Sequence, residues 1–321
     1  MKIIKPPYTI TDKMLNLVSE IMEKIGEAKY FEKLSTYPEL RKKSQIHSIH
    51  SSLAIEDNQL SFFEVEAVIN GKSVIGDKKD IQEVKNAYNA YEQIDNMNPY
   101  SIDDLKKIQG LLTFAIEKNS GEFRNHGEAV YDGDVQIFMA PPHNMVSQLI
   151  KELFNWMKKE KDNISPLILS SIFHYEFVFI HPFSDGNGRT ARLWQTIILS
   201  HWKEIFKYVQ IETIIKNHQQ EYYDVIQNCN NKGSSNDFIE FMLEIILEAI
   251  NNITTQETTQ ETTQEKILSL IKENPSITQI EMANRLGITR DGISYNIRIL
   301  KDNKIIKREG STKKGYWIIL K

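Results

Sequence analysis

The sequence predicts a mostly α-helical body with one β-hairpin, followed by a small basic module of three helices and a terminal hairpin. Three observations lead there. Apolar residues recur at spacings of three and four in successive segments of the first 250 residues, the period of a helix buried along one side. Strand-like patterning in that part is confined to 128–140, where Asp132-Gly133 marks a two-residue turn. Composition and charge then change at 254–265, which reads TTQE three times.

The elements follow in order. Residues 12–29 place Met14, Leu15, Val18, Ile21, Met22 and Ile25 on one stripe, and 81–95 and 102–117 repeat the period. Residues 146–159 add Val146, Leu149, Ile150, Leu153, Phe154 and Met157. Residues 166–180 are apolar nearly all round, as a central buried helix requires. Helical patterns over 190–206 and 236–250 complete the body. Gly71-Lys72-Ser73 has the ending of a phosphate-binding loop, but the required earlier glycine is Glu66, so the segment is a turn. The TTQE tract has no large apolar residue to bury and is expected to be a linker or a polar helical extension. The chain therefore divides into 1–253, a linker 254–265, and 266–321.

Composition excludes several classes. Of 321 residues, 40% are hydrophobic and 26% charged, ordinary for a globular protein and incompatible with disorder as the main state. The lone cysteine, Cys229, excludes a disulfide scaffold and a cysteine-ligated zinc finger. No run of about 18 apolar residues occurs, so no membrane span is expected. The opening MKIIKPPYTITDK lacks the apolar core of a signal peptide, which makes the reducing cytoplasm the expected compartment. The net charge of −4 hides an asymmetry: residues 266–321 hold twelve Lys/Arg against five Asp/Glu, +7, leaving −11 for the rest. An acidic body and a basic tail suggest two modules with different partners.

The chemistry concentrates in His181-Pro-Phe-Ser-Asp-Gly-Asn-Gly-Arg189 and Arg192. Gly186-Asn187-Gly188 is a turn ahead of a helical run, able to aim several backbone N–H groups at one anion. Arg189 and Arg192, three apart in the first turn, can reach the same polyphosphate. Asp185 is a hard oxygen ligand suited to Mg²⁺. His181 offers an imidazole able to take a hydroxyl proton near neutral pH. Base, metal ligand, anion cradle and two arginines together describe nucleotidyl or phosphoryl transfer. His174, in the apolar helix, is expected to be a hydrogen-bonded core residue.

The segment HPFSDGNGRTAR resembles the signature of Fic-domain proteins, HPF-x-[DE]-GNGR-x-x-R, at every signature position. Tyr37-Pro38, Leu40-Arg41, Gly121-Glu122-Phe123-Arg124, His174-Tyr175-Glu176-Phe177 and Tyr222-Tyr223 resemble further landmarks of the larger bacterial members, over roughly residues 5–250. The resemblance implies a Fic helical core with a β-hairpin flap and an activity: transfer of AMP from ATP to a Tyr, Thr or Ser hydroxyl of a target protein, the chain itself included. His181 is then the general base and Asp185 the Mg²⁺ ligand. Gly186, Asn187 and Gly188 form the anion hole. Arg189 and Arg192 hold the β- and γ-phosphates, and Phe183 packs into the core to fix the loop. Hairpin 128–140 matches the flap that aligns a target segment by strand addition. Tyr222 or Tyr223 lines the adenine pocket, and nothing in the sequence chooses between them. Removal of AMP, or transfer of another phosphate-containing group, remains open for the same loop.

Ser51-Ser52-Leu53-Ala54-Ile55-Glu56-Asp57-Asn58 resembles the family's inhibitory motif, [ST]-x-x-x-E-[GN]. Ser52 and Glu56 match at the right spacing and share a helix face. Asp57 departs from the usual Gly or Asn. The implied role is inhibition in cis, with Glu56 pairing with Arg192 so that bound ATP is misplaced for in-line attack.

In the tail, a first helix over roughly 264–273 ends before Pro275. Thr278 caps a second through Leu286, which Gly287 stops, and Thr289 caps a third over 290–301. Met282, Ala283, Leu286, Ile288, Ile293, Ile297 and Leu300 supply its core. Ile305-Ile306 and Tyr316–Leu320 flank a basic-tipped hairpin. This is a winged helix-turn-helix pattern, similar to that of helix-turn-helix regulators. Arg290, Ser294, Tyr295 and Arg298 would face a DNA groove, and Lys313 and Lys314 a phosphate strand. The alternative for the module is dimerisation or target docking, so DNA and a second copy of the chain are both candidate partners. The alternative for the whole chain is a DNA-bound regulator whose core acts as a sensor.

Overall fold

A computed structural model of the chain describes residues 5–27, 38–132, 135–259, 263–302, 304–310 and 315–320. Tyr37, Gly133, Lys313 and Lys314 lie outside the described residues. The chain forms two compact units, Met1–Ile253 and Thr254–Lys321.

The first unit is helical. In order it comprises α1 (Asp12–Glu27), α2 (Pro38–Ile55), α3 (Phe62–Ile69), α4 (Lys78–Tyr91), α5 (Ile102–Leu112), hairpin strands β1 (Ala129–Asp132) and β2 (Val135–Met139), α6 (His143–Glu160), α7 (Pro166–Ile180), α8 (Asn187–Trp202), α9 (Ile211–Asn217), α10 (Gln219–Lys232) and α11 (Asn236–Thr259). The centre is the α7–α8 pair. Eleven of the fifteen α7 residues are buried, as its unbroken apolar sequence requires. Phe173 and Phe177 of α7 and Trp194 of α8 are fully buried with Phe154 of α6. Each such side chain contributes about 2–3 kcal/mol of transfer free energy.

Three helices depart from expectation. In α1 only Met14 and Ile21 are fully buried, while Leu15 is 53% and Met22 38% exposed. The helix packs along a seam narrower than its apolar stripe. Helix α5 stops at Leu112 rather than 117, because Asn86 captures the carbonyls of Leu112 (3.3 Å) and Phe114 (2.7 Å), and Thr113 turns its hydroxyl back onto Gln109 O (3.0 Å). Helix α8 begins at Asn187, three residues earlier than its apolar pattern, because Gly186 caps it in a left-handed conformation (φ +76°). Gly71, also left-handed, closes α3 in the turn expected for Gly71-Lys72-Ser73.

In β1–β2, Ala129 pairs with Met139 and Val130 with Phe138, and a bulge follows Val130.

The second unit has the expected order: α12 (Thr263–Glu273), α13 (Gln279–Leu286), α14 (Arg290–Asp302), β3 (Ile306–Glu309) and β4 (Tyr316–Ile319). Thr278 and Glu281 form a reciprocal capping box, and Gly287 (φ +65°) ends α13. Met282, Ile293, Ile297, Leu300 and Trp317 are buried together with Ile267 and Ile271 of α12. The Trp317 indole donates to Ile277 O (3.0 Å), fastening the β3–β4 hairpin to the helices. Arg290, Ser294, Tyr295 and Arg298 are all exposed on α14. Among the described residues no helix is long and apolar enough to cross a membrane.

Candidate active site

The site forms where α7 ends and α8 begins. Pro182 bars α7 from continuing. His181 caps the helix in the left-handed region (φ +50°, ψ +61°), its N–H still bonded to Phe177 O (2.9 Å). A non-glycine residue there costs of order 1 kcal/mol or more and persists only where its surroundings fix it. Those surroundings are present. Arg124, 4% exposed, donates from Nε to His181 O (2.7 Å), from Nη1 to His126 O (2.8 Å), and from Nη2 to Pro141 O (2.5 Å) and Ile180 O (3.3 Å). One guanidinium thus joins this turn to the segments entering and leaving the hairpin. Gln109, 1% exposed, donates to Asp185 O (2.9 Å) and accepts from Gly121 N (2.6 Å). Phe183 is fully buried, its ring 5.3 Å from that of Phe123.

Asn187 does not project into the cleft. Its side chain accepts from Phe183 N (3.0 Å) and donates to Phe183 O (2.7 Å), which folds the turn back on itself. The anion-binding capacity therefore lies in the backbone N–H groups of the first turn of α8 and the positive end of its dipole. A side chain at Gly186 would meet Thr113 Cγ2 at 2.9 Å.

The two arginines have separate partners. Arg189, buried, pairs through Nη1 with Glu83 (3.0 Å) and through Nη2 with Asp185 (2.9 Å). Arg192, also buried, donates from Nε to Ser52 Oγ (3.0 Å) and from Nη2 to Ser52 O (2.9 Å) and Glu56 Oε1 (2.8 Å). Against the cost of its burial, Glu56 holds the Arg192 guanidinium protonated beyond the ordinary arginine range. The Glu56 carboxylate also lies over Gly188: a β-carbon there would collide with Glu56 Oε1. One carboxylate thus occupies the anion-binding end of α8 and its arginine together.

Glu56 is placed by the end of α2. Lys216 Nζ donates to Ala54 O (2.6 Å), and Gln219 Nε2 (3.1 Å) and the Tyr223 hydroxyl (3.3 Å) donate to Ile55 O. These donors satisfy the terminal carbonyls of the helix, and the Lys216 charge suits the negative end of its dipole. Asp57 is left-handed (φ +64°), which explains why Gly or Asn is usual in the motif and why Asp, tolerant of that region, can replace them. Asn58 then donates to Glu83 Oε2 (2.8 Å), so Glu83 links the end of the motif to Arg189.

His181 is largely buried, and desolvation is the main cause lowering its pKa below the usual histidine value. A hydrogen bond with the Val178 backbone partly offsets that lowering, and Nδ1 is buried. Asp185 uses Oδ1 for Gly186 N (2.6 Å) and Arg189; Oδ2 makes no hydrogen bond to a described residue. No group of three His, Cys, Asp or Glu able to hold a metal occurs among the described residues. A lone half-exposed carboxylate fits Mg²⁺, which binds through one or two carboxylates and completes its shell with phosphate oxygens and water.

The two tyrosines separate. Tyr222 is 2% exposed and its hydroxyl pairs with His174 Nε2 (2.9 Å), whereas Tyr223 is 42% exposed beside Ile55. His174 is fully buried, also bonded to Gln195 (2.6 Å), and burial pushes its pKa down to about 3. It is the hydrogen-bonded core histidine expected of its position.

Sequence reasoning assigned no role to Arg124, Gln109, Glu83 or Lys216. Arg124 was visible as a landmark in Gly121-Glu122-Phe123-Arg124, but its partners are backbone carbonyls, which leave no sequence signal.

Residues 99–199 match the Fic/DOC family and residues 260–307 the winged helix-turn-helix DNA-binding family. A crystal structure of a Fic family protein from Desulfovibrio desulfuricans G20 is 34% identical, with a TM-score of 0.76 and coverage of 98% of each chain. Protein adenylyltransferase Fic of Culex quinquefasciatus is 28% identical over 212 residues, 63% of this chain and 40% of that protein. Protein adenylyltransferase fic-1 of Caenorhabditis elegans is 27% identical over 201 residues, 59% and 38% of the two chains. The match spans about 40% of the length of these curated relatives.

Proposed function

The chain belongs to the Fic family, and from that premise we propose that it is a protein adenylyltransferase, inhibited in cis by Glu56, whose C-terminal module binds DNA. Residues 1–253 are the catalytic part, 254–265 the connecting tract and 266–321 the DNA module.

The triphosphate of ATP is received by the N–H groups at the start of α8, with the γ-phosphate on Arg192. Arg189, fixed by Glu83 and Asp185, adds positive potential beside the β-phosphate. Asp185 would hold Mg²⁺, which would neutralise phosphate charge. Tyr223, the exposed member of its pair, flanks the adenine. Strand β2 aligns the target segment. The target hydroxyl oxygen attacks the α-phosphorus, its proton passes to His181, the bond to the α–β bridging oxygen breaks, and pyrophosphate leaves. A lowered pKa keeps His181 neutral and ready to accept that proton at physiological pH.

The observation that carries the reading is the 2.8 Å Glu56–Arg192 pair over Gly188. An acid fills the place of a phosphate, which makes sense of an intact nucleotide cradle that is shut at rest. The DNA reading rests on the exposed Arg290, Ser294, Tyr295 and Arg298 of α14 and on the +7 charge of 266–321.

The test is to incubate Glu56→Gly protein and a cell lysate with Mg²⁺ and ATP labelled at the α-phosphate or, separately, at the γ-phosphate. Protein-bound label from the α-position alone is expected. Label from the γ-position would make the enzyme a kinase and overturn the assignment.

A further inference from the structure

The α14 helix carries an exposed tyrosine that takes no part in the core. Three tyrosines are exposed among the described residues: Tyr223 (42%), Tyr295 (52%) and Tyr316 (43%). Tyr223 donates to Ile55 O and is part of the nucleotide cleft. The Tyr316 hydroxyl donates to Glu309 Oε2 (3.1 Å). The Tyr295 hydroxyl makes no hydrogen bond to a described residue, and its ring contributes nothing to the core. A phenol oxygen without a hydrogen bond to any described residue is available as a nucleophile.

Its neighbours suit a nucleotide. Arg298, one turn on, places its guanidinium carbon 5.6 Å from the Tyr295 ring centre. Asp291 lies one turn before, on the same face. With Ser294, these residues line an open hollow of about 310 Å³, at the small end of the range for ligand sites. A phosphodiester on the Tyr295 oxygen would have Arg298 as its counter-ion, and Asp291 and Ser294 offer acceptors to ribose hydroxyls.

We propose that Tyr295 is an acceptor for AMP, and that its modification releases α14 from DNA. This rests on the AMP-transfer reading above and names its substrate. The Tyr295 oxygen attacks the α-phosphorus of ATP, the phenolic proton goes to His181, and pyrophosphate departs with the electrons of the broken P–O bond. The product is a tyrosyl-AMP phosphodiester carrying one negative charge. That charge and the bulk of the nucleoside then stand on the face that would meet a polyanion. Arg298 is neutralised, and each lost phosphate contact weakens DNA binding at moderate salt. Nucleotide supply and DNA occupancy are thereby linked.

The experiment uses full-length Glu56→Gly protein with Mg²⁺ and ATP, peptide mass spectrometry of the product, and binding to mixed-sequence duplex DNA before and after. The expected results are AMP on the Tyr295 peptide, its absence in Glu56→Gly/Tyr295→Phe, and a loss of DNA affinity of about tenfold or more on modification. The Tyr295→Phe protein should show no ATP-dependent change in its own DNA affinity, whatever its starting value. AMP confined to other residues overturns the inference while leaving AMP transfer standing. No AMP on this protein or on lysate proteins overturns both. Absence of DNA binding before modification, or equal binding afterwards, overturns the release step.

Discussion

Two turns meet at the start of α8, and they are held differently. The turn 181–187 is held from several directions: Arg124 on His181 O and, through its own N–H, on Pro182 O, Gln109 on Asp185 O, Asn187 bridging both polar groups of Phe183, and the fully buried Phe183 ring. The Glu56 turn has a well-capped helix behind it, but its carboxylate reaches the site through one ion pair and is one-third exposed. The first arrangement preserves a geometry that chemistry needs unchanged. The second is easily displaced, as the proposed inhibitory role requires.

The largest effect that sharpens this contrast is on the fixed side. In a Glu56→Gly background, His181→Ala should lower the rate of AMP transfer by about 10²–10⁴-fold with ATP affinity nearly unchanged, measured by single-turnover labelling and by nucleotide titration. A parallel loss of ATP affinity would mean that His181 shapes the cradle rather than taking the proton. Next is Arg124→Ala, which touches no substrate yet should slow transfer by about 10²-fold through misplacement of the turn. Full activity in that variant would show that the turn holds itself. Ser52→Ala should raise basal activity by a few-fold at most, in keeping with the loss of about 1 kcal/mol from one hydrogen bond to Arg192. No change would leave Glu56 as the sole determinant of the closed state. The acid limb of the pH–rate profile should fall below the usual histidine range, because burial lowers the His181 pKa and the neutral form persists further into acid.

The smallest effect concerns the core. His174 has its pKa pushed down to about 3, below its unfolded value near 6.5. The unfolded chain therefore binds the extra proton first. The stabilisation from this group is complete above pH 6.5 and is lost as pH falls toward 3. Denaturant titrations across that range should show this loss, and His174→Gln should flatten it.

Much of the site was legible because its signal is local. His181 to Arg192 is one run of sequence whose spacing fixes a turn and a helix start, and Ser52 and Glu56 are one helical turn apart. The helix carrying them was harder to see. Its buried face includes Ser44, Ser48, Ser51 and Ser52, so no apolar stripe announces α2. Those small residues let α2 approach α9 closely, with Ser51 Oγ 3.0 Å from Thr213 Oγ1. The end of α5 was misplaced because a distant group sets it: Asn86 takes carbonyls more than twenty residues away. The roles of Arg124 and Glu83 are likewise long-range and become visible only when the chain is folded.

The central claim is that a single carboxylate shuts an otherwise complete site. It is tested most directly by α-labelled AMP incorporation into protein by the wild-type chain, Glu56→Gly, and Glu56→Gly/Arg192→Ala, side by side at equal ATP and Mg²⁺. The account predicts little label in the wild type, a strong rise in Glu56→Gly, and loss of that rise in the double variant. A Glu56→Gly protein no more active than wild type would contradict it.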